Sequence, residues 1–332
     1  MTTSSPRTVR IATIGTSMIT RRFAAAAADA DGIELTHVYS RDPARAAAVA
    51  TELGVPGWSS DLAALLACDA VDAVYVASPN SLHYPQARDA LLAGKHVLVE
   101  KPATTSETQT AGLVELARDR GLVFLEAIRS LYDPGYALIR QTIATLGPIR
   151  RVSLCFHQRS ARYDQVLAGG RVNVFDPALG GGALNDLGIY CVHALTDLFG
   201  EPTRVSAELV AIPGGTDGAG AVLAAYPGFV ADLSFSKITA PGLPSVIEGE
   251  AASLVIDRLD DPRRLTLRPL GGAPQELVVT KRGEDQLANL LDCLERFVAA
   301  VTGRVEIAAD QERSIASARL MDRVRQAAAG GR

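Results

Sequence analysis

At 332 residues the chain is longer than one compact core commonly supports, so two domains are the starting expectation. An apolar fraction of 48% with 21% charged residues excludes a disordered chain, and a net charge of −4 gives no electrostatic reason to expect a nucleic-acid partner. The four cysteines, Cys68, Cys155, Cys191 and Cys293, lie far apart and match no zinc spacing, which points to reduced thiols in a cytoplasmic protein without a metal centre.

In chain order, Met1 to Arg10 is polar and has no apolar core of a signal peptide, and no later stretch has the length and apolarity of a membrane span. Val9 to Ile14 is a β-rich run ending at Gly15, and the alanine-rich Met18 to Ala30 has helical propensity. Ile33 to Tyr39 predicts a second strand. Asp42-Pro43 then opens a helix, with the aspartate as cap and the proline preset for the first turn, and Gly54 stops it. Val71 to Ala77 is uninterruptedly apolar, as a parallel strand buried on both faces tends to be. Helix Tyr84–Leu92, strand His96–Val99, helix Glu107–Arg120 and strand Val123–Ala127 continue the alternation. The βαβ rhythm predicts a parallel, doubly wound Rossmann-type sheet over 1–127.

After residue 128 the rhythm changes. Ile149–His157, Arg204–Ile212, Ala221–Tyr226, Val230–Lys237, Ser253–Asp257, Leu265–Arg268 and Glu276–Val279 read as strands, with turn signals such as Pro213-Gly214-Gly215 between several of them. The expectation for 128–332 is an α/β domain with a large, mostly antiparallel open sheet and one major helix, 183–199, ahead of most of it. Leu287, Leu290, Leu291, Leu294, Phe297, Val298 and Val301 follow a helical period and predict an amphipathic helix over 285–302, and a last helix near 309–327 closes the chain.

Gly15 sits between a strand and a helix, where the turn Gly15-Thr16-Ser17-Met18-Ile19 would present backbone N–H groups to a pyrophosphate. Ser17 and Thr20 replace the usual second and third glycines, and a tight βα turn without a ligand is the alternative. At the end of the second strand an acidic residue would accept the ribose hydroxyls of NAD; here stand Ser40 and Arg41, which suit a 2′-phosphate and so NADP, with NAD possible. Arg45, one turn into the next helix, adds a second charge, and a solvated helix start is the other reading of both arginines.

Two further motifs carry chemistry. Glu100-Lys101-Pro102 puts an ammonium at the carboxyl edge of the nucleotide-binding sheet. Ser78, Pro79, Asn80 and His83 occupy the loop after the Val71–Ala77 strand at the same edge, although Asn80 is also a plausible helix cap. Asp186, Tyr190 and His193 fall at i, i+4 and i+7, one face of a helix. Proton-handling groups beside a nucleotide site suggest hydride transfer to or from a hydroxyl carbon.

The runs Ala77-Ser78-Pro79-Asn80-Ser81-Leu82-His83, Gly94-Lys95-His96-Val97-Leu98-Val99-Glu100-Lys101-Pro102 and Gly180-Gly181-Gly182-Ala183-Leu184-Asn185-Asp186-Leu187-Gly188-Ile189-Tyr190 resemble the glucose–fructose oxidoreductase, inositol dehydrogenase and related (Gfo/Idh/MocA) family over nearly the whole chain. The resemblance implies a Rossmann domain followed by an α/β domain whose open sheet binds substrate on one face and often joins subunits on the other. It also implies that Lys101 lies near the nicotinamide. Tyr190, where inositol dehydrogenase has histidine, resembles the glucose–fructose oxidoreductase and dihydrodiol/NADP-xylose dehydrogenase branch, in which the tyrosine is taken as the proton carrier.

A free phenol, with a pKa of about 10, is a poor base at neutral pH, and an ammonium such as that of Lys101 beside it would favour the phenolate. Asp186 would accept a sugar hydroxyl or hold the lysine. Without the resemblance, Tyr190 also reads as an interfacial helix tyrosine, Asp186 as an early-helix carboxylate and His193 as a satisfied core histidine. Arg129 and His157 are further pocket candidates. The resulting expectation is a cytoplasmic NADP-preferring dehydrogenase of a sugar, polyol or cyclic diol, assembled as a homodimer or homotetramer. The alternatives are a cofactor-retaining sugar–sugar oxidoreductase and a non-catalytic sensor of the same fold.

Overall fold

The computed structural model describes residues 8–240, 243–281 and 288–330. The chain divides into two compact units, residues 1–127 with 285–312, and residues 128–284 with 313–332.

The first unit alternates β1 (Val9–Ile14), α1 (Met18–Asp29), β2 (Ile33–Tyr39), α2 (Pro43–Leu53), β3 (Gly57–Ser59), α3 (Leu62–Leu66), β4 (Ala73–Val76), α4 (His83–Leu92), β5 (His96–Glu100), α5 (Glu107–Asp119) and β6 (Phe124–Ala127). The strands form one parallel sheet in the order β3-β2-β1-β4-β5-β6, the dinucleotide-binding arrangement. Its order reverses between β1 and β4, which places the turns after both strands at the switch point where ligands of such sheets bind. Punctuation read from the sequence recurs in the structure. Asp42 accepts the N–H groups of Ala44 and Arg45 at the start of α2, and Gly54 closes that helix in the left-handed region. The short β3 and α3 carry too few residues for a periodic signal and escape the sequence reading.

The second unit contains α6 (Pro134–Ile143), β7 (Ile149–His157), α7 (Tyr163–Leu167) and a π-helical turn, Leu184–Gly188, that runs into α8 (Ile189–Phe199). The strands β8 (Arg204–Ala211), β9 (Asp217–Tyr226), β10 (Phe229–Ser236), β11 (Ser245–Gly249), β12 (Ala252–Ile256), β13 (Arg264–Pro269) and β14 (Gln275–Val278) follow. Eight strands form one sheet ordered β14-β13-β12-β11-β7-β10-β9-β8, antiparallel at every junction except β7 with β10. Val152, Leu154, Ala231, Leu233 and Phe235 are buried on its helix-covered face and join one core with α8.

The start of β9 differs from the sequence reading. β9 begins at Asp217, ahead of the expected Ala221, because Gly218 and Gly220 mask the strand. Gly220 belongs there: a Cβ at that position would stand 2.6 Å from the Phe235 ring. The amphipathic helix is α9 (Ala288–Val301), and its expected start at 285–287 lies outside the described residues. Nor is the division a single cut after residue 127. The expected second part, 128–332, gives up Asp285–Glu312 to the first unit, because α9 packs against α1 and buries Leu290, Leu294, Phe297 and Val298. The closing helix α10 runs over Ala308–Gly330. Among the described residues no helix is long and apolar enough to cross a membrane.

Candidate active site

In the first unit the turn after β1 requires glycine. Gly15 has φ +126°, and a Cβ there would stand 2.5 Å from the Ala77 carbonyl oxygen at the end of β4. The chain then enters α1 with Ser17 at the cap, and its side chain makes no capping bond. The first turn of α1 thus offers backbone N–H groups to an anion, as a pyrophosphate site requires. Thr16 is buried and tied down, its Oγ1 accepting the Arg45 Nε–H at 2.6 Å, while Ser17 and Met18 are exposed and Ile19 is half-buried. Ser40 ends the strand region beside the exposed Arg41, and its Oγ accepts the Asp42 N–H at 3.3 Å. Arg41 and Arg45 thus put positive charge near the end of β2, where Ser40 stands in place of an acidic residue. These residues fit a dinucleotide with a 2′-phosphate.

The loops after β4 and β5 are braced by His83. Its fully buried ring has Nε2 2.9 Å from the Ser78 carbonyl oxygen and Nδ1 2.9 Å from that of Pro102. The sequence reading placed His83 among cofactor contacts, whereas the structure places its ring between two backbone carbonyls. Burial pushes its pKa down, and the two carbonyls oppose that shift. Ser78 Oγ donates to Gln86 at 2.6 Å, while half-buried Pro79 and Asn80 begin a 3₁₀ turn. Glu100 accepts the Tyr75 hydroxyl and, at 3.3 Å, the backbone N–H of Lys101. Lys101 is half-buried, and the Lys101–Pro102 bond is cis. Buried Glu126 accepts the Ala103 N–H at 2.8 Å and holds the same loop. Neither Tyr75 nor Glu126 stood out in the sequence, because each lies inside an apolar strand.

In the second unit Gly180-Gly181-Gly182 leads into the π turn. Gly182, at φ +127°, leaves room for the Asp217 carboxylate, which accepts the Leu184 N–H at 2.6 Å. Burial raises the pKa of Asp217, against the opposing pull of that N–H and of Arg325. Asn185 donates to the Gly180 carbonyl at 2.9 Å and accepts from Arg325 at 2.6 Å, so the turn is fixed from both sides. Gly188 comes close to β10: a Cβ there would stand 3.0 Å from the Phe235 ring. Phe235 therefore needs both Gly188 and Gly220, and their absent side chains let the π turn settle over the end of β10.

That approach brings together residues distant in sequence. Asp186 forms an ion pair with Lys237, which follows β10 and is only 6% exposed. The Lys237 ammonium also lies 5.7 Å from the centre of the Phe175 ring. Tyr190 is buried, packs edge-on against Phe156 at 5.3 Å, and accepts the Arg129 Nε–H at 3.4 Å. Arg129, expected only as a pocket candidate, thus lies beside Tyr190.

His193 and His157 go elsewhere. The π turn breaks the single α-helical face expected for Asp186, Tyr190 and His193. His193 is buried with Nδ1 2.9 Å from Ser317 Oγ on α10, in a chain that continues to Thr196. His157 bonds Ser234 at 2.7 Å on the opposite face of the sheet from Phe156 and Tyr190. Side chains alternate along a strand, and Phe156 takes the helix-covered face. Lys237 escaped the sequence reading, although it continues the inward phase of Ala231, Leu233 and Phe235.

The sequence matches an oxidoreductase family with an NAD-binding Rossmann fold over residues 9–127, and the GFO/IDH/MocA C-terminal domain over residues 136–255. It is 36% identical over 96% of both chains to a scyllo-inositol 2-dehydrogenase (NADP(+)) of Bacillus subtilis. It is 32% identical to a dTDP-3,4-didehydro-2,6-dideoxy-alpha-D-glucose 3-reductase of Streptomyces violaceoruber, over 98% of this chain and 97% of that one. Among solved structures, a 3-ketoreductase from Actinomadura kijaniata in complex with NADP and TDP-benzene superimposes with a TM-score of 0.86 at 27% identity, covering 97% of this chain and 98% of the other. Both units therefore carry matched family domains, and the chain belongs to the Gfo/Idh/MocA family of nicotinamide-dependent oxidoreductases.

Proposed function

We propose that the protein is an NADP-preferring dehydrogenase that oxidises, or in reverse forms, a secondary hydroxyl of a polyol or sugar. The observation that carries this reading is Tyr190, a buried phenol whose oxygen meets the Arg129 guanidinium, one turn after a partly exposed carboxylate, Asp186. The names of the similar proteins support the same class of chemistry.

The first unit would hold NADP through the Gly15–Ile19 turn for the pyrophosphate, Ser40, Arg41 and Arg45 for the 2′-phosphate, and the Ser78–Asn80 and Glu100–Lys101 loops along the rest. The nicotinamide supplies hydride acceptance or donation. Tyr190 takes the hydroxyl proton during oxidation and returns it during reduction. The positive charge of Arg129 stabilises the negative charge that grows on the Tyr190 oxygen as the proton leaves. Lys101, at the end of β5, would supply an ammonium beside the nicotinamide. Asp186 accepts a neighbouring hydroxyl and so helps to bind the substrate.

The test is the rate of NADP and NAD reduction with scyllo-inositol, myo-inositol, D-xylose, D-glucose and a cyclic diol. Turnover of at least one, faster with NADP, is the expected result. Tight NADP binding without turnover of any would replace this reading with that of a sensor.

The four free thiols fit a reducing compartment, and we place the protein in the cytoplasm. The sheet face away from α8 leaves Leu223 54% and Val230 45% exposed on the adjacent strands β9 and β10. We propose that a second copy covers this face, in a symmetric dimer or a tetramer of dimers. Light scattering at micromolar concentration should show no monomer.

A further inference from the structure

Lys237 is the most deeply buried side chain of the candidate site that carries a full positive charge, at 6% exposure. A buried ammonium is costly unless an anion compensates it, and here the Asp186 carboxylate does so. The pair is asymmetric: the lysine side chain is 7% exposed and the aspartate side chain 34%. The cation is hidden and the anion is open.

The lysine has little freedom to leave. Its N–H donates to the Gly218 carbonyl at 2.8 Å and its carbonyl accepts the Ser160 N–H at 2.8 Å, which continues the sheet past β10. The Phe175 ring faces its ammonium. The π turn that carries Asp186 is held against the same strand by the close fit of Gly188 and Phe235. Both partners are thus set by backbone, and the ion pair fixes the carboxylate plane between them.

We infer that Lys237 is a positioning residue for substrate recognition, holding Asp186 as an ionised hydroxyl acceptor and so selecting a neutral polyhydroxylated carbon next to the reacting one. This rests on the function proposed above, in which Asp186 faces the substrate. A carboxylate oriented by an ammonium accepts hydroxyl protons at its solvent-exposed edge and repels a carboxylated or phosphorylated neighbour. Lys237 itself is too buried to be the substrate contact.

The experiment is a double-mutant cycle in the full-length protein: Lys237→Met, Asp186→Asn and the combination, with Lys237→Arg as the conservative variant. With scyllo-inositol and NADP, Lys237→Met should raise KM about 10- to 100-fold with kcat changed by less than about threefold. NADP affinity should not change. In the Asp186→Asn background the same lysine substitution should add less than about twofold, and Lys237→Arg should restore most of the KM. Equal losses in both backgrounds would mean that Lys237 acts on the fold rather than through Asp186, and the inference falls. A loss confined to kcat also overturns it. If the wild type oxidises none of the polyols, the functional reading fails separately. Urea unfolding of the four proteins then still decides the pair, because additive changes in midpoint would show that the two side chains do not act together.

Discussion

The Asp217 carboxylate occupies the space in which Gly182 would carry a Cβ, and it accepts the backbone N–H of Leu184 at 2.6 Å. One strand-end carboxylate thereby sets where the π turn begins and so where Asp186 and Tyr190 stand. Gly182 combines a left-handed φ with this close approach, so alanine there meets both a strained backbone and an overlap.

Gly182→Ala is expected to destabilise the protein by about 1–3 kcal/mol and to lower turnover. NADP affinity should be unaffected, since the residues proposed for the cofactor belong to the first unit. Urea unfolding and an NADP titration on the same sample would check it. A variant as stable as the wild type would show that the turn reforms without the Asp217 contact.

Ser40→Asp tests the cofactor assignment. A carboxylate at the end of β2 would repel the 2′-phosphate and accept the ribose hydroxyls of NAD. NADP affinity should drop about tenfold or more, while NAD affinity holds or rises. Stronger binding of NAD than NADP by the wild type would remove the basis for the assignment.

Tyr190→Phe removes the proton and the hydroxyl while keeping the ring against Phe156. Turnover should fall about 100- to 10,000-fold with cofactor affinity nearly unchanged. Lys101→Ala should also remove most turnover, since it deletes the ammonium at the end of β5. Near-normal kcat in Tyr190→Phe, with activity lost in His193→Ala, would move the proton to the imidazole.

His83 gives a prediction in pH. Burial lowers its folded pKa below the usual imidazole value of about 6.5, so the unfolded chain takes up a proton there before the folded one does. Its contribution to stability is fully present above about pH 6.5 and is lost as the pH falls through the lower folded value. His83→Gln should be less stable than the wild type at pH 7.5, and the gap should narrow as the pH falls from about 7 to 5. His37 is shifted in the same direction by burial, but it is present in both proteins and cancels in the difference. A gap that stays constant over that range would show that His83 does not stay neutral in the fold. Thermal or urea unfolding across the pH series measures it.

The first unit was readable because its signals are local. Asp42-Pro43 and Gly54 bound α2 by their own conformational preferences, and Gly15 marks the turn after β1. The residues proposed for the cofactor follow from their distance along the chain to those strand ends. β11 was missed because its five residues carry no strong alternation, and the start of β9 because two glycines hide it. Those glycines have a cause only in three dimensions, in Phe235 and the two isoleucines, Ile212 and Ile238, that fill the space beside them.

Asp186, Tyr190 and Arg129 were legible as residue types at plausible places, and His157 as a pocket candidate on a strand. Which face would meet α8 was decided by packing: Phe156 took the covered side with Tyr190, and His157 went to the other with Ser234. The same packing turned His193 toward Ser317 on α10 and brought Asp186 to Lys237, 51 positions away. A sequence carries the period and phase of each element, because these depend on neighbours along the backbone. The partner across a helix–sheet interface depends on where a second surface comes to rest, and the fit of Phe235 between Gly188 and Gly220 settles that only in the folded chain.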